Sequence, residues 1–147
     1  MKTILFWWAH WRSRLTGRRP PAAHLQRGAL GERAARRHLE KAGLQCLTTN
    51  YRTPRGELDL VCRDGDCLVF VEVKTRSSEE WGRPAAAVDL RRQRRLTRAA
   101  LWYLRRIGRP RIKVRFDIVE VLLDQDRVRE IRHLPNAFPM AAPWRYD

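Results

Sequence analysis

Hydrophobic and polar residues alternate most regularly between residues 56 and 76. Two apolar runs flank Asp64-Gly65, a dipeptide that favours a two-residue hairpin turn. A turn at that point places Arg63 opposite Asp66 and Asp59 opposite Phe70. Alternation along the two strands then predicts one wholly apolar face, which consists of Leu58, Leu60, Cys62, Cys67, Val69, Val71 and Val73. The pattern therefore predicts a β-hairpin with one face packed on a core.

The other face of this hairpin carries charged side chains at its open end. Those side chains are Glu57, Asp59, Glu72 and Lys74. The register sets Glu57 opposite Glu72 and makes Asp59 a diagonal neighbour of Glu72, with Cβ atoms about 7 to 8 Å apart. Two such carboxylates can share a cation, and Mg²⁺ (or Mn²⁺) suits one or two carboxylates while leaving positions for phosphate. Lys74 would then orient the attacking water, or it would simply form an ion pair with Glu57 or Glu72.

The remaining periodicity predicts helices over residues 25–42 and 85–107 and strands over residues 44–50, 113–123 and 128–133. A polar loop that contains Trp81 follows the hairpin. The order α-β-β-β-α-β-β describes an α/β fold of the α+β type, with a mixed sheet. Glu32 falls in the first turns of the first helix, where the helix dipole favours an acid in any case.

Composition adds a partner to this fold. The chain of 147 residues holds 31 lysines and arginines against 16 acids, which gives a net charge of +15. Such a charge points to a polyanion, most simply nucleic acid. The positive charge is concentrated on the second predicted helix, where many arginines are accompanied by a single acid, Asp89. The residues predicted to contact nucleic acid are Arg76, Arg91, Arg92, Gln93, Arg94, Arg95 and Arg98.

The ends of the chain differ from its middle. Residues 1–24 form a basic, Trp-containing extension, residues 25–138 the domain, and residues 139–147 a proline-containing tail. The extension is either a floppy basic segment or an interfacial helix that touches a membrane surface through residues 1–15. No apolar run approaches the length of a membrane span. The hairpin sets Cys62 opposite Cys67, and an odd count of three cysteines indicates free thiols in a reducing cytoplasm.

Several motifs, taken in order, resemble one known family. They are Gly31-Glu32 with Ala34-Ala35, Asn50-Tyr51-Arg52, Gly56-Glu57-Leu58-Asp59-Leu60, Phe70-Val71-Glu72-Val73-Lys74-Thr75-Arg76, Arg115-Phe116-Asp117 and Asn136-Ala137-Phe138. They resemble the YraN family of small bacterial proteins, over about residues 26–138. That family is grouped by similarity with the PD-(D/E)xK nucleases and lies close to Holliday-junction resolvases. The resemblance implies a restriction-endonuclease-like core.

The resemblance also implies roles. Asp59 and Glu72 would hold the metal, Lys74 would act on the water, and Glu32 would be a further catalytic and metal-binding acid from the first helix. Arg92 stands where the family usually has a lysine, which keeps the charge but not a proton-transfer role. The expected function is a metal-dependent endonuclease acting on DNA, with branched or otherwise structured DNA as a candidate substrate, and a homodimer is expected by analogy. The alternative is a nucleic-acid-binding protein with a vestigial site.

Overall fold

The computed structural model describes residues 23–77 and 88–146. It contains the helices α1 (Ala23–Lys41) and α2 (Leu90–Arg106) and the strands β1 (Gln45–Thr53), β2 (Gly56–Asp64), β3 (Cys67–Ser77), β4 (Lys113–Asp124) and β5 (Arg127–Phe138). The predicted order of elements is confirmed. The interpretations of residues 1–22 and of the loop around Trp81 fall outside the described residues.

The five strands form one sheet in the order β1-β2-β3-β4-β5. Strands β3 and β4 are parallel, whereas the other neighbours are antiparallel. Helix α1 packs on one face of the sheet, over Leu60, Val69 and Val119, and α2 packs on the opposite face, over Phe70 and Phe116. This mixed sheet belongs to the predicted fold class and is compatible with a restriction-endonuclease-like core.

The hairpin turn lies one residue later than predicted. Asp64 pairs with Cys67, so Gly65 and Asp66 form the turn, and Gly65 supplies the positive φ of +56° that such a turn favours. Asp64 remains in the strand because its carboxylate accepts a hydrogen bond of 2.8 Å from Arg115. The predicted opposition of Arg63 to Asp66 is therefore wrong.

This change shifts every pair across the hairpin by two residues. Phe70 lies opposite Val61 rather than Asp59, and Glu57 pairs with Arg52 of β1 rather than with Glu72. Because side chains alternate with a period of two, such a shift preserves the faces, and Leu60, Cys62, Val69 and Val71 pack on the side of α1 as predicted. Leu58, predicted on that same face, instead packs in the core under α2, so the alternation is broken between Leu58 and Leu60.

The cysteines are also paired differently from the prediction. Cys62 lies opposite Val69 on one side and Cys46 on the other, and Cys67 lies opposite Asp64. All three thiols are free. Burial is the first cause that raises the pKa of Cys62 to about 12, so this thiol stays protonated and behaves as a small apolar side chain.

The bounds of α2 and β5 differ most from those that the periodicity predicts. Helix α2 begins at Leu90 rather than at residue 85, because the Asp89 side chain accepts a hydrogen bond of 2.8 Å from the Arg92 backbone N–H and caps the helix. Strand β5 continues to Phe138, whose ring stacks on Phe116 with centroids 4.9 Å apart. Neither described helix is both long enough and apolar enough to cross a membrane.

Candidate active site

Strands β2 and β3 separate at the end of the hairpin where the acids lie. Their pairing ends at Leu60 with Val71. Beyond that pair, the Asp59 carboxylate accepts a hydrogen bond of 2.8 Å from the backbone N–H of Val73. A side chain thus takes the place of a strand carbonyl, and Asp59 is fixed in the fork between the two strands.

Three predicted acids meet electrostatically at this fork. Burial raises the pKa of Asp59 to about 7, and repulsion from Glu72 and Glu32 adds to this rise. The hydrogen bond from the Val73 N–H and the charge of Arg92 act in the opposite direction. Burial also raises the pKa of Glu32, with Glu57 and Glu72 contributing, while a hydrogen bond from the Asn50 side chain opposes the change. We call Glu32, Asp59 and Glu72 the acid corner.

Glu32 reaches the acid corner through a close approach of α1 to β3. It lies in the middle of α1, whose first turn contains no acid, so the helix dipole does not explain it. The preceding residue, Gly31, is buried, and a Cβ atom there would lie only 1.9 Å from the Thr75 hydroxyl oxygen. Gly31 therefore lets the helix come close enough to bring Glu32 beside the fork.

Arg92 forms an ion pair with the Glu72 carboxylate. Its Nη2 donates hydrogen bonds of 2.8 and 2.9 Å to the two carboxylate oxygens, and its Nε donates one of 3.0 Å. Glu72 is only 7% exposed, so this charge-assisted contact compensates its burial. The neighbouring Gln93 donates a hydrogen bond of 2.6 Å to the Val88 carbonyl and thus holds the start of α2.

The other residues predicted to contact nucleic acid surround this ion pair. Arg91, Arg94, Arg95 and Arg98 are exposed along α2. Arg76 is half-buried on β3, with its Nε 3.7 Å from a carboxylate oxygen of Glu120. The basic face of α2 and the acid corner are therefore adjacent in the structure.

Lys74 is half-buried on the strand that carries Glu72. In the described part of the chain it forms no ion pair with Glu57 or Glu72, since Glu57 lies 3.9 Å from Arg52 and Glu72 is held by Arg92. The interpretation of Lys74 as a simple ion-pair partner of these two acids is therefore wrong. Its ammonium group is available for another role.

The sequence interpretation missed Glu120. Its side chain is fully buried on β4, opposite Lys74, and neither carboxylate oxygen has a hydrogen-bond partner among the described residues. Arg76 and Arg132 approach these oxygens at 3.7 and 4.0 Å. Alternation along β4 gave a signal, because it places this acid on the same face as the core residue Ile118.

The acids of the corner can be compared with the ligands that a metal ion requires. No three His, Cys, Asp or Glu side chains within residues 23–77 and 88–146 are grouped so that they could hold a metal ion. Mg²⁺, however, commonly takes only one or two protein carboxylates, with waters and phosphate completing its shell. Asp59 and Glu72 fit that requirement, because they repel each other and a divalent cation would offset the repulsion. Arg92 would have to release Glu72 first.

A cleft of about 460 Å³ opens beside Glu32. It lies between the start of α1, the end of β3 and the turn from β4 to β5. Glu32 and Arg76 are the predicted site residues that line it, together with Val73 and Thr75. The cleft thus reaches the acid corner from the α1 side.

The fold and this corner define a small mixed α/β protein in which three acids, one buried and two half-buried, repel one another beside a basic helix. The chain belongs to the uncharacterised protein family UPF0102, whose model matches residues 31–121. The expected YraN-family membership is thereby confirmed.

The family relatives match most of both chains. A UPF0102 protein of Desulfosudis oleivorans is 44% identical and covers 77% of this chain and 89% of its own. One of Pelotomaculum thermopropionicum is 45% identical, over 76% of this chain and 93% of its own. One of Rhodococcus jostii is 43% identical, over 80% of this chain and 99% of its own. The similarity therefore extends over the site-bearing domain.

Proposed function

We propose that this protein hydrolyses phosphodiester bonds in DNA with the help of a divalent cation. The observation that carries the proposal is the acid corner itself, where burial and mutual repulsion raise the pKa of Asp59 to about 7. Charges held at such a cost are typical of functional sites. The adjacent arginines of α2 supply the positive surface that a polyanionic substrate requires.

Each residue of the corner has a part in this proposal. Asp59 and Glu72 would hold Mg²⁺ or Mn²⁺, which when bound would lower the pKa of water and stabilise charge on phosphate. Lys74, lacking a carboxylate partner among the described residues, would orient the attacking water and stabilise the developing negative charge. Glu32 would fix a water or the cation from the α1 side.

Cleavage of several DNA forms tests the proposal. Duplex, single-stranded and branched DNA are incubated with the full-length protein and Mg²⁺ or Mn²⁺. The parent is expected to cut at least one form, whereas Asp59→Asn and Lys74→Met should each lose about a hundredfold or more in rate. Asn at position 59 can still accept the Val73 hydrogen bond, so the fold is preserved.

Lys113→Met is the matched control for Lys74→Met. Lys113 is an exposed lysine paired with Asp66 at the far end of the hairpin, 3.0 Å away. Both variants lose one positive charge, but only Lys74→Met removes it beside the acid corner. Equal rates in the parent, Asp59→Asn and Lys74→Met would sink the proposed chemistry.

One observation favours a second candidate, a nucleic-acid-binding protein without catalysis. Arg92 already neutralises Glu72 through three hydrogen bonds, as a structural ion pair would. Calorimetry with Mn²⁺ separates the two candidates. Binding that is lost in Asp59→Asn supports the endonuclease, whereas salt-dependent DNA binding without any Mn²⁺ binding supports the second candidate.

The remaining parts of the proposal concern location and assembly. The three free thiols support a cytoplasmic location. A homodimer would let two acid corners cut two strands, and sedimentation with and without DNA tests for it. Contact with a membrane surface through residues 1–15 concerns residues outside the described structure.

A further inference from the structure

A second cleft, of about 330 Å³, lies where the C-terminal residues meet α2 and the turn between β1 and β2. Its lining consists of Arg55, Arg98, Leu101, Trp102, Arg105 and Trp144. It shares none of these residues with the acid corner. The cleft thus combines three guanidinium groups with two indole rings.

The charge of this cleft is not compensated within the described structure. No acid lines it, and Arg55, Arg98 and Arg105 form no ion pair with any described carboxylate. Elsewhere in the domain, arginines that approach one another share an acid, as Arg76 and Arg132 do with Glu120. Among the described residues, three arginines line one cleft without an acid, and this arrangement favours an anion as its ligand.

The aromatic part of the cleft is fixed in place. The Arg98 guanidinium lies 5.1 Å from the centre of the Trp144 ring, a cation–π distance. The segment before this ring is held by a hydrogen bond of 3.0 Å from the Ala141 N–H to the Thr97 hydroxyl. The residues after it are held by Tyr146, whose hydroxyl donates to the Pro110 carbonyl. Trp144 is therefore presented by a docked segment.

A flat aromatic group with an attached anion satisfies both parts of this cleft. Nucleobases stack on indole rings and on guanidinium planes, while the flanking phosphates pair with arginine. An acidic peptide would satisfy the arginines but would leave the indole rings without a stacking partner. The chemistry of the cleft therefore favours a base of a single strand.

We propose that this cleft binds an unpaired base of single-stranded nucleic acid and its flanking phosphates. The inference rests on the proposed action on DNA and adds that the substrate includes a single-stranded part. Arg92 and Arg98 lie on the same helix, and the rise between them is only about 9 Å. At 3.6 residues per turn the two side chains also differ by about 120° around the helix axis, so a strand held at Trp144 would cross α2 diagonally to reach the acid corner.

Binding of short oligomers in the presence of EDTA tests this site. The full-length protein is titrated into labelled oligothymidylate and into an abasic backbone of equal length, and fluorescence anisotropy is measured. The parent should bind the oligomer with bases about tenfold more tightly. Trp144→Ala should remove this preference, Trp144→Phe should retain most of it, and Trp102→Leu should reduce it.

Two further arms complete the experiment. Arg145→Gln removes an arginine that neighbours Trp144 but does not line the cleft, so its base preference should equal that of the parent. A comparison of oligouridylate with oligothymidylate distinguishes RNA from DNA as the source of the single strand. Tighter binding of oligouridylate identifies RNA, and tighter binding of oligothymidylate identifies DNA.

The outcomes distinguish this inference from the proposed function. If the parent protein binds oligothymidylate and the abasic backbone equally well, or if Trp144→Ala keeps the full base preference, the inference is overturned even if the parent cuts DNA. If the parent keeps the base preference but cuts no form of DNA, the proposed endonuclease activity is overturned and the proposed base-binding cleft is supported.

Discussion

Asp117 and Asp59 lie on the same sheet but are held in opposite ways. Asp117 is fully buried, and its carboxylate accepts hydrogen bonds from Arg115, from His133 at 2.8 Å and from the Asn136 backbone N–H at 2.9 Å. Burial alone would raise its pKa, but these donors lower it below the usual value. The charged form of Asp117 is thus stabilised by folding.

The charged form of Asp59 is destabilised by folding. It receives one backbone hydrogen bond and faces Glu72 and Glu32, and its pKa rises to about 7. A carboxylate with all its donors stabilises the fold, whereas a repelled one lowers stability and is typical of a site that binds something. The two acids therefore contrast a structural network with the site that we propose binds a cation.

The largest expected effect is on the structural side of this comparison. Asp117→Asn removes the charge that Arg115 and His133 share and leaves Arg115 partly uncompensated. We expect the free energy of unfolding at pH 7 to fall by about 3 to 5 kcal/mol. Urea unfolding followed by circular dichroism measures this change.

Asp64→Asn is the control for that variant, because Asp64 is the other partner of Arg115. Its side chain is 44% exposed, so its loss should cost less than about 1 kcal/mol. Since the pKa of Asp117 is lowered, its contribution is present above the unfolded pKa and disappears as pH falls through the folded pKa. A parent and an Asp117→Asn variant of equal stability at pH 7 would show that the network is dispensable.

The next effect has the opposite sign and a different pH range. Asp59 keeps its proton up to about pH 7 in the folded state but loses it near its ordinary pKa of 3.8 when unfolded. The stability of the parent should therefore fall as pH rises from about 4 to about 7. Asp59→Asn cannot ionise, so its advantage should be small at pH 4 and reach about 4 kcal/mol at pH 7.5.

Urea unfolding of parent and variant across this pH range checks the prediction. Asp59→Ala is the matched control, because it removes the same charge but leaves the Val73 N–H without its acceptor. It should gain less than Asp59→Asn at every pH. A constant difference between parent and Asp59→Asn from pH 4 to pH 7.5 would contradict the raised pKa.

These contrasts show what a single sequence can predict. Periodicity gave the order of elements, and alternation gave the charged and apolar faces of the hairpin. The turn was misplaced because either Asp64 or Gly65 can begin it, and the choice is made by Arg115, which is 51 residues away in sequence from Asp64. Local patterns contain no information about such a distant partner.

The candidate site follows the same rule. Spacing along β2 and β3 predicted that Asp59, Glu72 and Lys74 lie near one another, since the two strands are joined by one short turn. The bond from Arg92 to Glu72 joins different elements, and the approach of α1 at Gly31 depends on the absence of a side chain against Thr75. The sequence therefore predicts a positive charge and a contact to nucleic acid at Arg92, but not its bond to Glu72.

The smallest effect in this comparison concerns the single arginine that compensates the acid corner. Arg92→Gln removes the partner of Glu72, but the Arg92 side chain is 37% exposed and solvent screens the pair. We expect a loss of about 1 kcal/mol in the free energy of unfolding, well below that for Asp117→Asn. Arg92→Lys keeps the charge without the paired geometry and should lose less.

Mn²⁺ affinity gives this variant its sharper measurement. If a cation and Arg92 compete for the Glu72 carboxylate, Arg92→Gln should bind Mn²⁺ about tenfold more tightly than the parent in calorimetry, while Arg92→Lys should remain near the parent. An unchanged or weaker affinity would mean that Arg92 and Glu72 form a structural pair like Arg115 and Asp117. The acid corner would then differ from the Asp117 network only in having fewer donors, and the case for a cation at Asp59 and Glu72 would fail.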